Sequence, residues 1–197
     1  MISIGIKLKN QLSAKSFKLK FISQNKQLFG NEIYLNNISH FKNQKKYKGE
    51  KIADIEVKSP KSIQPINCPS KLNSGAIDEF LIIFLVAAKA NGVSYFKDLS
   101  ELNQKESPRL KWGSKILTKI GIKNITTKNS IKIFGNPNIK VKKKIIIKNF
   151  LKDHRVFMTC VIAALSMGGE WKISDRDSIN TSFPSFLVKL RELGFKI

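Results

Sequence analysis

The 197-residue chain is 42% hydrophobic and 25% charged, which excludes an intrinsically disordered polymer and allows one large domain or two small ones with real cores. A formal net charge of +22 points to anionic partners: nucleic acid, an anionic membrane surface or phosphorylated metabolites. Of the 36 basic residues 32 are Lys, so the charge follows a Lys-, Ile- and Asn-rich composition as readily as a binding face; Arg109, Arg155, Arg176 and Arg191 are the more informative cations, because a planar guanidinium suits carboxylate and phosphate.

The chain in order begins with its least legible part, residues 1–48. Met1 to Lys9 lacks the apolar core of a signal peptide. Ser13 to Phe17 has the composition of a helix start, and Leu28 to Leu35 suits a strand. Ile52 to Val57 alternates in part and predicts a strand, broken by Ser59-Pro60. Ile63 to Asn67 reads as a short extended piece, since Pro65 and Pro69 oppose helix.

Ser74 to Glu79 opens the first clear helix, predicted to run to Ala90 and stop at Asn91-Gly92. It is apolar nearly all round and therefore buried. Its run from Phe80 to Ala88, the longest apolar stretch, has nine residues and is too short to span a bilayer. Asp78 and Glu79 stand at its N-terminus, where the helix dipole favours carboxylates whether or not they do anything else. Val93 to Phe96 predicts a strand.

Next comes Lys105-Glu106-Ser107-Pro108-Arg109. Ser107 suits an N-cap and Pro108 the first helical position, and Leu110, Ile116, Leu117 and Ile120 recur at helical spacing up to Gly121. Two cations at a helix N-terminus make an anion site, with Glu106 as an acid/base inside it. The same residues also suit a capped surface helix carrying a solvated charge run, and the stretch by itself leaves both readings open.

Ile122–Ile125 and Ile131–Phe134 predict two strands joined by a polar turn. The pattern then recurs. Ile145–Ile147 is a strand, Asp153-His154-Arg155 opens a second apolar helix ending at Gly168-Gly169, Trp171–Ile173 is a strand, and Ser182-Phe183-Pro184 opens a last helix from Ser185 to Leu193. Asp78 to Ser107 spans 29 residues, as does Asp153 to Ser182, so the chain holds a duplicated βαβαβ-like unit whose polar residues gather at helix N-termini. Cys68 and Cys160 form no CxxC or metal-ligand spacing, which fits a reduced, cytoplasmic setting.

Four pieces stand in register: Ala76-Ile77-Asp78-Glu79; Glu101-Leu102 with Lys105 to Leu110; Asp153-His154-Arg155 with Met158; and Thr181 to Pro184. Over about residues 49–197 this succession resembles the 5-enolpyruvylshikimate-3-phosphate synthases. The sister family acting on UDP-N-acetylglucosamine shares the fold without normally showing the Lys-Glu-Ser motif. The resemblance implies an α+β fold, an alpha/beta prism of repeated βαβαββ units with buried helices. It implies that residues 49–197 are two clear units of the C-terminal domain. Residues 1–48 then stand as a degenerate or altered first unit, and the N-terminal domain is absent.

The implied reaction moves enolpyruvyl from phosphoenolpyruvate to the 5-hydroxyl of shikimate 3-phosphate, on the way to aromatic amino acids. The resemblance places Glu106 at the methylene carbon and Asp78 near the attacking hydroxyl. Lys105 would contact the shikimate phosphate ester on its hydroxyl side, Arg109 and Arg155 would clamp phosphoenolpyruvate, and His154 would sit beside the phosphate. No metal and no organic cofactor is implied. Partners would be the two substrates and the missing N-terminal domain, in cis or in trans, without which no turnover is expected; no membrane is implied. Pro108 departs from the family, which usually has Asp there. The competing reading is a basic nucleic-acid-binding module, which requires exposed aromatics interleaved with the cations; most Phe residues lie instead in apolar helices or strands.

Overall fold

The structure is a computed structural model, and it describes residues 17–22, 39–47, 50–57 and 60–197. Strands β1 (Phe17–Ile22), β2 (Ser39–Tyr47) and β3 (Glu50–Val57) form an antiparallel sheet in the order β1-β3-β2. The register of β2 against β3 slips between Lys42 and Lys45, where Asn43 takes a positive φ of 52°. That is the geometry of a bulge, and Asn is one of the few side chains that tolerate it. The strand expected at 52–57 is therefore present. The helix start expected at Ser13–Phe17 is overturned at its last residue, because Phe17 begins a strand paired to Val57. Residues 13–16 and the strand expected at 28–35 lie outside the described residues. The boundary expected between 48 and 49 falls between two strands of one sheet.

From residue 60 onward the sequence reading and the structure run closely together. The single helix expected from Ser74 to Ala90 is two: α1 (Asn73–Ala76) and α2 (Phe80–Ala88). Between them Ile77, Asp78 and Glu79 form a turn, with the Glu79 N–H on the Ala76 carbonyl at 2.9 Å. Gly75 and Asp78 are weak helix formers, and breaking here frees Asp78 to face another helix end. Strand β4 (Val93–Phe96) follows, then a 3-10 turn at Ser100–Gln104 and helix α3 (Arg109–Ile120). Gly121 ends α3 with φ 91°, and the backbone N–H groups of Gly121 and Ile122 close onto Thr118 and Leu117. A left-handed stop of this kind is where glycine has no steric penalty. Strands β5 (Asn124–Thr126) and β6 (Ile131–Phe134) complete an antiparallel sheet ordered β4-β6-β5.

The second unit contains β7 (Lys144–Ile147), α4 (His154–Met167), β8 (Glu170–Ile173) and α5 (Phe186–Glu192). β7 and β8 are parallel, so α4 is the crossover between them. The first unit repeats this in miniature: Asn67 bridges Tyr95 in parallel sense, and α2 is the crossover.

Helices α2, α3 and α4 pack on one another and carry the core. Phe80 and Phe84 of α2 lie edge-on to Phe96 of β4 at 6.1 and 5.3 Å between ring centres. Trp112 of α3 meets Phe150 edge-on at 6.0 Å. Phe80, Phe84, Phe96, Phe150 and Phe157 are all at or near zero exposure, so burial contributes roughly 1.5–3 kcal/mol for each. These rings fill the core and are unavailable for stacking on bases. Gly113 lets α3 approach α2, since a Cβ there would stand 2.6 Å from the Phe84 ring.

Candidate functional site

Three helix N-termini meet at one guanidinium. Arg109 is the first residue of α3, and its side chain is 2% exposed. Nε donates to Asp153 Oδ2 at 2.9 Å, and Nη1 donates to Asp78 Oδ1 at 2.8 Å. Nη2 donates to Glu106 Oε2. Asp153 caps α4, Asp78 lies in the turn before α2, and Glu106 precedes α3. A buried cation costs several kcal/mol unless its hydrogen bonds are met, and here each of the three guanidinium nitrogens meets a carboxylate. Burial works against the Arg109 charge, but the bonds and charges of Asp153, Glu106 and Asp78 outweigh it and raise its pKa above the ordinary value.

Asp153 is the best enclosed of these acids, with a side chain at 0% exposure. Oδ1 accepts the Arg155 N–H at 2.9 Å and the Val156 N–H at 3.4 Å, which is the N-cap of α4. Oδ2 accepts Arg109 Nε and also the Ser107 hydroxyl at 2.8 Å. Burial alone would raise its pKa; the bonds from Arg109, Ser107 and the Arg155 backbone outweigh that and hold it below the ordinary carboxylate value.

Two expectations are corrected here. Ser107 is not the N-cap of α3: Pro108 occupies that position, Arg109 is the first helical residue, and no side chain caps the helix. The reason is competition. A buried carboxylate is a stronger partner for the Ser107 hydroxyl than a helix-end amide, because charge-assisted bonds are about twice as strong as neutral ones. Nor do the site's cations stand free. Lys105 Nζ lies 3.0 Å from Glu101 Oε1. Arg155 Nη1 donates to Glu79 Oε1 at 2.8 Å and to the Asp78 carbonyl at 3.1 Å, and Nη2 lies 3.4 Å from Asp78 Oδ2. The helix-end anion site expected from the sequence is thus filled by the protein's own acids. An incoming anion has to exchange with them.

Five of the six expected site residues, Glu106, Asp78, Lys105, Arg109 and Arg155, fall within this set of ion pairs. His154 begins α4 half-buried beside them and takes no part in these bonds. Glu106, Asp78 and Glu79 remain about half exposed, at 53%, 47% and 47%, while Arg109 behind them is covered. The layout is an accessible acidic lip over a buried cation, which suits exchange of one carboxylate for another. Sequence reasoning missed Asp153 and Ser107 as members of the site. The helix start at Asp153 was legible, but its bonds to residues 44 and 46 positions away were not.

The architecture defines the class of protein. The chain superposes on an EPSP synthase from Acinetobacter baumannii with a TM-score of 0.76 at 26% identity, over 89% of this chain and 41% of that one. It also matches the enolpyruvyl transferase NikO from Streptomyces tendae with a TM-score of 0.59 at 14% identity, over 91% of this chain and 39% of that one, a likeness of fold alone. The fold is that of the enolpyruvyl transferases.

Within that class the sequence is specific. The family model for EPSP synthase (3-phosphoshikimate 1-carboxyvinyltransferase) matches residues 32–190, and the chain belongs to that family. A 3-phosphoshikimate 1-carboxyvinyltransferase of Ruthia magnifica is 36% identical over 155 residues, which is 79% of this chain and 35% of the relative. One from Geotalea daltonii is 32% identical over 165 residues, 84% of this chain and 36% of the relative. The chain therefore spans about a third of the length of the curated relatives it matches. Among the described residues no helix is long and apolar enough to cross a membrane.

Proposed function

We propose that this chain supplies the C-terminal part of a 3-phosphoshikimate 1-carboxyvinyltransferase, an enzyme of aromatic amino acid biosynthesis acting in the cytoplasm. Its substrates are phosphoenolpyruvate and shikimate 3-phosphate. Residues 49–197 act as two repeat units of that part, with residues 1–48 as an altered first unit. Because the chain matches only about a third of the length of its relatives, turnover requires their remaining portion, an N-terminal domain, in cis or in trans.

One observation carries the reading. A buried guanidinium lies at the meeting of three helix ends, with both terminal nitrogens turned to half-exposed acids. Phosphoenolpyruvate carries a carboxylate and a phosphate, and a planar guanidinium grips such groups by two parallel bonds. Arg109 and Arg155 take these anionic groups, with His154 beside the phosphate and Lys105 on the second substrate. The hydroxyl oxygen then adds to the enol carbon. Asp78 accepts the hydroxyl proton, and Glu106 delivers a proton to the methylene carbon. In the second half Glu106 takes a proton back from the methyl group, and the carbon–oxygen bond to phosphate breaks. Phosphate leaves and the enolpyruvyl double bond re-forms. Before substrate enters, Asp78 and Glu106 share Arg109, so one cation gathers both proton carriers where phosphoenolpyruvate is to bind.

The test is phosphate release from the two substrates. The 197-residue chain alone should release none; supplied with the remaining portion of a relative, it should turn over. Glu106→Gln should then lower the rate by about a hundred- to ten-thousand-fold while leaving phosphoenolpyruvate binding largely intact. Arg109→Lys should instead weaken binding by roughly 1.5–3 kcal/mol, the value of a hydrogen bond to a charged group. Normal turnover by Glu106→Gln would reduce Glu106 to a partner of Arg109. Steady turnover by the chain alone would overturn the requirement for a second portion.

A further inference from the structure

Asp153 cannot meet a ligand, yet it holds Arg109, the buried cation of the site. Its side chain has no exposed surface and four donors: the Arg155 and Val156 amides on Oδ1, and Ser107 and Arg109 Nε on Oδ2. A carboxylate has about four lone-pair sites, so this one is saturated. Its grip on Arg109 is at Nε, the inner edge of the guanidinium. The two nitrogens of the outer edge are thereby directed to Asp78 and Glu106, the half-exposed acids of the lip. Without the inner bond the guanidinium would be free to turn about its stem and present a different edge.

We propose that Asp153, seconded by Ser107, is a positioning residue: it fixes the plane of Arg109 so that the outer edge of the guanidinium faces the site as a two-point fork for a carboxylate or phosphate ligand. The same carboxylate caps α4, so the fork and the first turn carrying His154 and Arg155 are set by one group. A bound ligand carboxylate replaces Asp78 and Glu106 on the two outer nitrogens, while Asp153 keeps the inner one. This proposal rests on the reading of the site given above, and one experiment separates the two.

The experiment uses the full 197-residue chain and two readouts. Solvent exchange of the Arg109 Nε–H, followed by nitrogen NMR and assigned through Arg109→Lys, reports the inner bond with no ligand present. Arg155 is the internal control, because its bonds run through Nη1 and Nη2. Titration with phosphoenolpyruvate reports the fork. Asp153→Asn keeps the shape and the α4 cap while losing the charge; Asp153→Ser keeps only the cap. In the wild-type chain the Arg109 Nε–H should exchange at least about tenfold more slowly than that of Arg155, and both variants should erase the difference. Phosphoenolpyruvate affinity should fall about tenfold or more at equal folded fraction, the loss of one charge-assisted bond's worth of order.

If the two Nε–H groups exchange equally in the wild type, or if Asp153→Asn leaves Arg109 protected, the positioning role is overturned, and the wild-type comparison holds even where a variant fails to fold. If the variants release Arg109 but the wild-type chain does not take phosphoenolpyruvate, the positioning role stands and it is the substrate reading for the isolated chain that fails.

Discussion

The two repeat units share one plan and differ at one helix end. In each, an apolar helix crosses between parallel extended segments: α2 between the isolated bridge residue Asn67 and Tyr95 of β4, α4 between strands β7 and β8. In each, a Ser stands 29 residues after an acid at the start of the first helix, and a second helix begins two to four residues beyond it. There the likeness stops. Ser107 is 1% exposed and bonded to Asp153; Ser182 is exposed. The first residue of α3 is Arg109, turned in among three helix ends, whereas the first residue of α5 is Phe186, packed against Phe183 at 5.7 Å. Among the described residues no hydrogen bond or ion pair joins 182–185 to the Arg109 cluster. Repetition supplies the positions, and a cation in place of an aromatic residue turns one of them into a site.

The comparison is broken most severely at Asp153. Asp153→Ala removes the α4 cap and leaves Arg109 Nε and the Ser107 hydroxyl without their acceptor in a closed interior. Chemical denaturation should show a loss of about 3–5 kcal/mol, the cost of stranding one member of a buried ion pair. A loss below about 1 kcal/mol would mean that the cluster relaxes to water and does not hold the helices together.

The two serines offer the direct contrast. Ser107→Ala removes a bond to a buried charge and should cost roughly 1.5–3 kcal/mol, while Ser182→Ala, at the matching point of the second unit, should stay within about 0.5 kcal/mol. Equal effects would show that the 29-residue symmetry extends to energetics, against the structure.

The smallest effect is acid sensitivity. Asp153 has a folded pKa below its unfolded one, so its stabilisation is present above the ordinary carboxylate value and is lost as pH falls through the lowered folded value. Arg109 is shifted the other way, upward from an already high value, so its contribution changes only at strongly alkaline pH. Denaturation midpoints measured from neutral pH downward should therefore fall less steeply in Asp153→Asn than in the wild type. Parallel slopes would assign the acid transition to the surface pairs instead.

Much of this was legible from residue order alone. Apolar runs fixed α2 and α4, Gly121 ended α3 where expected, and the alternation at 131–134 yielded β6, because these depend on contacts within a few residues. The Lys-Glu-Ser and Asp-His-Arg motifs named the family, and they contain Glu106, Ser107, Asp153 and Arg155, four residues now found in the network around Arg109. Two local expectations failed for a shared reason. The helix at 74–90 broke at Ile77–Glu79, and Ser107 left its helix end uncapped, because Asp78 and Ser107 each found a charged partner far along the chain.

The sequence by itself determined which helices are buried, where α3 and α4 stop, and which acids and cations stand near the helix starts. Tertiary structure alone decided that three of those starts face one another across Arg109. It also decided that Asp153 grips the inner edge of the guanidinium and that Asp78 and Glu106 share the outer one. The physical reason is range. Periodicity and capping act over one or two turns of helix, whereas a buried ion pair is settled by which helix ends the packing of α2, α3 and α4 brings together.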